Sequence, residues 1–367
     1  MHWRTGGRAT LVAAAALLLA VGLAACGGNS GGGGGAGGGK IALLLPETNT
    51  ARYEAQDRPL FQKKVKELCS SCEIIYSNAD QDAAKQQRQA EAAIASGAKV
   101  LVLDPVDSAS AAAMVTRAKQ AKIPVISYDR LITAADVDYY ISFDSVQVGR
   151  LQATSLIGQL EKTGKGRGTI LMINGAPPDH NAKLLKRGAH SVLDSSGVKI
   201  GKEYDTPDWS PHKARAEAQQ AITALGKDGF DGVYAANDAT AGGAIAAMKR
   251  AGIDPSTKPT TGEDAELAGI RRIVAGDQFM TVYKAYKTEA EDAATIAVAL
   301  AQGKSVPAGL VNQKVDNRQK SVDSIILKPV TVTKANVMDT VVKDGLYSVA
   351  DICTGAYQAA CAKAGIK

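Results

Sequence analysis

The sequence predicts an α/β protein of two doubly wound lobes joined by a hinge. Short apolar runs alternate with amphipathic stretches of helical length from Lys40 onward. Runs such as IALLL and VLVL are apolar at every position, as strands buried on both faces require. The alternation restarts near Asp144 with the same rhythm, so one chain carries two similar series. At 367 residues, with 45% hydrophobic and 22% charged, it has the length and composition for two such units.

In the first series the strands are KIALLLP, CEIIYS, AKVLVLDP and IPVISYD, with helices Arg52 to Leu68, Asp82 to Ser96 and Ser108 to Ala121 between them. The second opens with a long helix near Asp144. It continues through GTILMING, a helix from Asp179, VKIGKEYD, a helix from Pro211, FDGVYAAND, a helix from Thr240, a strand near KPTTGED, a helix from Ala265, and FMTVYK. DYYISFD and FMTVYKAY fall where the chain passes between lobes, and the helix Thr288 to Gln302 returns to the first. The expected N-terminal lobe is therefore 40–143 with about 286–315, and the C-terminal lobe and tail 144–285 with about 316–367. Such crossings permit the lobes to hinge.

Leu11 to Ala25 are fifteen apolar or small residues behind Arg4 and Arg8. That run is too short for a comfortable membrane span and right for a secretory signal. It ends in LAAC, Leu23 to Cys26, which resembles the lipobox of bacterial lipoproteins. The resemblance implies a signal peptide at 1–25, lipidation of Cys26 and extracytoplasmic anchoring to the membrane. GGNSGGGGGAGGG, residues 27–39, has the composition of a flexible tether, so 26–39 reads as lipidated Cys and Gly-rich tether.

The other cysteines form two close pairs, and export favours local disulfides, Cys69–Cys72 and Cys353–Cys361. A thioredoxin-like redox role for CSSC is the weaker alternative, because no strand-motif-helix context surrounds it; free thiols are another. Removing Arg4 and Arg8 takes two charges from a formal net charge of +6, and the remaining basic residues are scattered. With no aromatic-basic module present, nucleic acid is not an expected partner, although an acidic membrane surface can attract the chain weakly.

Enzyme motifs are missing too. There is no G-x-S-x-G, H-E-x-x-H or Walker pattern: GKS at Gly303 has Val298 where the leading glycine belongs. Gly33, Gly35 and Gly38 spell G-x-G-x-x-G inside low-complexity sequence that follows no strand. No cofactor or metal is implied.

Six stretches, SYDRLI, YISFDSVQVGRLQA, NGAPPDHNAKLLKRG, ANDATAGGAIAAM, TGEDAELAGIRRI and MTVYK, together resemble the periplasmic sugar-binding proteins of ABC importers, in particular their xylose-binding branch. The resemblance runs from about Lys40 to Leu346, and multi-sugar binders share much of it. It implies a type I periplasmic binding protein fold of two Rossmann-like lobes. It also implies a monomeric, non-enzymatic receptor that closes on a monosaccharide, D-xylose before others, and delivers it to an ABC permease and its ATPase. A sugar sensor for a membrane kinase or chemoreceptor is the alternative, as is a binder of glucose, arabinose or galactose.

The family pattern carries over residue by residue. Asp129 and Arg130 after IPVISY match a sugar-bonding Asp-Arg step; by position alone they would be a surface pair. Arg52 and Tyr53 match an Arg-aromatic step in the first loop, with Tyr in place of Trp, and could otherwise open a helix. In PPDHNAK, Asp179 and Asn181 could cap a helix or bind sugar, with Asn181 the preferred contact and His180 expected in solvent. Trp209, in a polar loop, aligns with a stacking Trp; its bland reading is core. Asn237, Asp264 and Lys284 match sugar contacts, while Asp238 is expected to cap a helix. Arg52, Arg130 and Lys284 against Asp129 and Asp264 give near balance of charge, which suits a neutral polyol offering hydroxyls that donate and accept.

Overall fold

The computed structural model describes residues 38–366. The signal segment, Cys26 and the tether as far as residue 37 lie outside the described residues.

The first lobe is built on β1 (Lys40–Leu45), α1 (Arg58–Leu68), β2 (Glu73–Asn78), α2 (Ala83–Ala95), β3 (Ala98–Leu103), α3 (Ala112–Gln120), β4 (Val125–Tyr128) and β5 (Tyr139–Phe143). β1 and β4 are buried at nearly every position, which is why their sequences show no alternation. The chain then crosses at Asp144 into α4 (Ser145–Lys162), β6 (Thr169–Asn174), α5 (His180–Leu193), β7 (Lys199–Asp205), α6 (Pro211–Leu225), β8 (Gly232–Ala235), α7 (Asp238–Arg250), α8 (Leu267–Ala275) and β9 (Met280–Tyr283). It returns through α9 (Tyr286–Ala301), β10 (Gln313–Asp316) and β11 (Ser321–Leu327), then crosses a third time to β12 (Val330–Thr333).

Among the described residues, seven strands form the first sheet in the order β10-β11-β5-β4-β3-β1-β2. All its neighbours are parallel except β10 and β11. In the second lobe β7-β6-β8 are parallel and β9 pairs antiparallel with β12. α9 lays Ala290, Ala293, Ala294 and Ala297 into the first-lobe core beside Phe61 and Val65 of α1, so this helix does return.

Two sequence expectations are corrected. Residues from 316 were expected in the second lobe, but β11 lies beside β5 in the first sheet, Ser324 opposite Tyr140 and Ile325 opposite Ile141. Val322, Ser324 and Ile325 are buried there, and the return to the second lobe comes only at Lys328 and Pro329. The strand near KPTTGED is reduced to a single bridge, Val233 to Thr260. Pro259 has no amide to give, and the Thr261 hydroxyl accepts from Ala235 N and donates to Ala235 O, taking over ladder bonds. The segment still links β8 to β9, through Thr261 N to Val233 O and Val282 N to Gly262 O.

The structure joins Cys69 to Cys72 and Cys353 to Cys361. No helix among the described residues is long and apolar enough to cross a membrane.

α4 and α5 pack closely because each offers a glycine to the other. A Cβ on Gly149 would lie 2.0 Å from Leu185 O, and one on Gly188 would lie 2.1 Å from Val146 O. Since α5 begins at Asp179 and Asn181, this contact sets where those side chains stand. Gly188→Ala is expected to lower the unfolding free energy by about 1–3 kcal/mol, as overpacking of a tight contact does; urea denaturation measures it.

Candidate functional site

Between the lobes lies a small cavity, lined by Thr50, Tyr53, Asp129, Arg130, Asp179, Asn181, Leu185, Trp209, Asn237, Glu263, Asp264 and Lys284. Its walls come from strand ends, where open parallel sheets offer free backbone groups and side chains to a ligand. Asp129, Trp209 and Asp264 hold left-handed backbone, with φ of 51°, 53° and 89°. Such conformations are costly and concentrate where a side chain must be aimed.

The structure shows this cleft closed. Arg130 Nε of the first lobe lies 3.0 Å from Asp179 Oδ2 of the second. Asn181 Nδ2 donates to Asp129 O at 2.9 Å, and Ala51 N donates to Glu266 Oε1 at 2.9 Å. At the rim Ser108 N donates to Pro178 O, and Asn49 Nδ2 to Asp208 O.

Asp129 projects from the end of β4. Its Oδ2 accepts from Tyr53 Oη at 3.1 Å, and its Oδ1 stands 3.3 Å from Arg52 Nη1 and 3.8 Å from Lys284 Nζ. Burial alone would raise its pKa, but Arg52, Lys284 and Arg130 hold it below the ordinary carboxylate value. Lys284, at the second crossing, also reaches Asp264 Oδ1 at 3.0 Å and Glu263 Oε1 at 3.2 Å. Its Nζ keeps its proton to higher pH than usual, because Asp129, Asp264 and Glu263 outweigh desolvation.

Trp209 packs in the second-lobe core and also borders the cavity. Its ring lines the cavity and packs on Gly175, where an added Cβ would meet ring carbons at 2.0 to 2.5 Å. Nε1 donates to Asp179 Oδ2 at 3.0 Å. Asp179 thereby caps α5 through Asn181 N, holds Trp209 and meets Arg130 at once. Asn181 presents Oδ1 with no hydrogen-bond partner, a buried acceptor on the cavity wall. His180 is half-buried rather than in solvent, its amide bonded to Ser108 Oγ. Asn237 is the cap of α7, accepting from Thr240 N at 2.9 Å while its Nδ2 turns to Thr50 Oγ1.

Three further expectations change. Asp238 is not the cap: buried at the first position of α7, it accepts from Glu266 N, Gln278 Nε2 and Thr281 Oγ1, tying α7 to α8 and β9. Arg52 is not on the cavity wall. Its guanidinium stands behind Asp129, with Nε 2.9 Å from Asp57 Oδ2 and Nη2 2.7 Å from Glu289 Oε2, over the Tyr286 ring.

The charge is also less even than expected. Arg52, Arg130 and Lys284 face eight carboxyls: Glu47, Asp57, Asp104, Asp129, Asp179, Glu263, Asp264 and Glu289. Burial pushes Asp104 and Glu289 well above the usual range and Glu263 up to about 8. Sequence reasoning missed Glu263, Thr50 and Leu185 on the wall; only the position of Glu263, one residue before Asp264 at a strand mouth, could have signalled it.

Arg52→Ala leaves Asp57 and Glu289 buried without their cation. The unfolding free energy of the unliganded protein is expected to fall by about 3–5 kcal/mol, the usual result of halving a buried ion pair. Guanidinium denaturation checks this; wild-type stability would return Arg52 to a role confined to the ligand.

Residues 41–305 match the model of the periplasmic binding protein domain family. The chain is 37% identical over 317 residues to the D-xylose-binding periplasmic protein of Escherichia coli strain K12, covering 85% of this chain and 92% of that one. It is 34% identical over 284 residues to the multiple sugar-binding periplasmic receptor ChvE of Rhizobium radiobacter, covering 73% and 80%. A carbohydrate transporter solute binding protein from Chloroflexus aurantiacus, solved with D-glucose, superposes with a TM-score of 0.75 at 31% identity, covering 85% and 97%. An ABC transporter solute binding protein from Clostridium phytofermentans, with bound β-D-glucose, gives 0.76 at 27%, covering 85% and 99%. With its two α/β lobes closed over a polar cavity and these matches along most of its length, the chain belongs to the periplasmic binding protein family, of type I fold, and is a binding protein rather than an enzyme.

Proposed function

We propose that this protein is the solute receptor of an ABC importer and that it captures a monosaccharide, D-xylose before others, between its two lobes. The observation that carries the reading is the cavity wall: carboxyl, amide, guanidinium and ammonium groups beside the Trp209 and Tyr53 rings, drawn from both lobes. Forked donors and acceptors answer the hydroxyls of a sugar, and an indole face answers its C–H face. A phosphate or dicarboxylate would call for surplus cation, and here carboxyls are in excess.

In this reading Tyr53, Asp129, Arg130, Asp179, Asn181, Trp209, Asn237, Asp264 and Lys284 meet the ligand, and Arg52 braces Asp129. Closure needs only that the sugar bind the closed form better than the open one. The segments at Asp144, Lys284–Ala285 and Lys328–Pro329 are the proposed hinges, and the lipidated Cys26 would hold a monomer at the membrane beside its permease. The choice of xylose is supported by identity to the D-xylose-binding proteins of Escherichia coli and Haemophilus influenzae, at 37% and 36%. Similarity to multiple sugar-binding receptors makes a broader pocket the second reading.

Calorimetry against xylose, glucose, arabinose, ribose and galactose tests the proposal, with xylose expected tightest; equal affinities would favour the broader pocket. Trp209 is one of two tryptophans in the sequence, the other being Trp3. In a chain starting after Cys26 its emission is expected to change saturably with xylose. Trp209→Ala is expected to weaken binding by about 1–3 kcal/mol. An unchanged Kd beside a large fall in melting temperature would make Trp209 core alone.

A further inference from the structure

Glu263 lines the same cavity and is buried, yet it is not among the sugar contacts that the resemblance implied. Its backbone is fixed, because Asp238 N donates to Glu263 O at 2.9 Å where α7 begins. Its side chain is faced by Lys284 from the second crossing, by its neighbour Asp264, and by Asp129 from the first lobe. Among the described residues, Lys284 Nζ is the sole polar partner of its carboxyl, at 3.2 Å. Asp179, by contrast, is committed to Asn181 N, Trp209 Nε1 and Arg130, and Asn237 Oδ1 to Thr240. Glu263 thus keeps hydrogen-bonding capacity directed at the space between the lobes.

We propose that Glu263 is a further contact of the captured ligand and determines which arrangement of hydroxyls the cleft accepts. This rests on the monosaccharide reading above. Lys284 cannot neutralise Asp129, Asp264 and Glu263 together, and burial holds the proton on Glu263 up to about pH 8. In that form the carboxyl donates one hydrogen bond and still accepts, a combination that carboxylate lacks and a sugar hydroxyl can use. A pocket built to bond a hydroxyl discriminates strongly against a ligand that cannot reach it.

The sign of the pH effect follows. A carboxyl whose pKa is raised in the closed cleft favours closure most below its open-cleft value, and that contribution is lost as pH rises toward about 8. Glu266, which burial also pushes up to about 8 and which accepts from Ala51 N across the cleft, adds a slope of the same sign.

Wild type, Glu263→Gln and Glu263→Ala are compared by calorimetry against xylose, glucose, arabinose, ribose and galactose at pH 6 and pH 8.5, with melting temperatures recorded without sugar. Wild-type affinity for the preferred sugar is expected to fall at the higher pH, and Glu263→Gln to flatten that change. Glu263→Ala is expected to lose at least tenfold for the preferred sugar and to reorder the panel. Affinities and ranking within twofold of wild type would overturn the assignment. So would a uniform loss across all sugars with a lowered melting temperature, which would mean that Glu263 acts only by holding Lys284. A wild-type protein that binds none of the sugars overturns the monosaccharide reading and this assignment with it.

Discussion

The site depends on the buried carboxylate of Asp129, held in left-handed backbone between Arg52 and Lys284. Its side chain meets a first-lobe arginine and a lysine of the crossing segment. Its carbonyl accepts from Ser142 Oγ and Tyr140 Oη in the first lobe and from Asn181 Nδ2 in the second. One residue therefore joins both lobes and one of the segments that connects them. An isolated carboxylate at this depth would neutralise itself by taking a proton; Arg52, Lys284, Arg130 and the Tyr53 hydroxyl keep it charged. Arg52 in turn is held by Asp57 and Glu289, so charge on the wall is supported by charge behind it.

Such an arrangement is a poor way to gain stability, because desolvating ions costs about as much as their attraction returns. Its value lies in orientation. Within its own lobe Arg130 is fixed by Asp104, Glu47 and Pro105 O, and Trp209 is pinned by Gly175 on one side and Asp179 at its nitrogen. A ligand entering a wall ordered in advance loses less entropy on binding. The pairings that span the lobes, Arg130 with Asp179 and Asn181 with Asp129, form only when the lobes meet, which couples closure to the completion of the pocket.

Most of the fold was legible in the sequence, because strands buried on both faces write themselves as unbroken apolar runs and helices as stretches between them. β11 was not placed correctly, since SVDSIIL reads as an ordinary half-buried strand and nothing local says which sheet it joins. The link at 259–264 was not legible as a mere bridge, because the Thr261 hydroxyl, a side chain, takes bonds that a strand would make with its backbone. Polar residues at strand ends announced the cleft, and Asp129, Arg130, Asn181, Trp209, Asn237, Asp264 and Lys284 do converge on it. Glu47, Asp104 and Glu263 were passed over, because a carboxyl near a strand end normally points to water; only the tertiary placement of Arg130 and Lys284 makes their burial tolerable. Asp238 was misread for a similar reason: its three partners come from the cap of α8, from β9 and from the turn before β9, none of them local in sequence.

The most direct measurement is a crystal structure of the protein grown with D-xylose. One sugar ring is expected between the lobes, its face against Trp209 and its hydroxyls within hydrogen-bond distance of Asp129, Arg130, Asn181, Asp264 and Lys284. A sugar bound outside the cleft, or inside it without touching Trp209 and Asp129, would contradict the account.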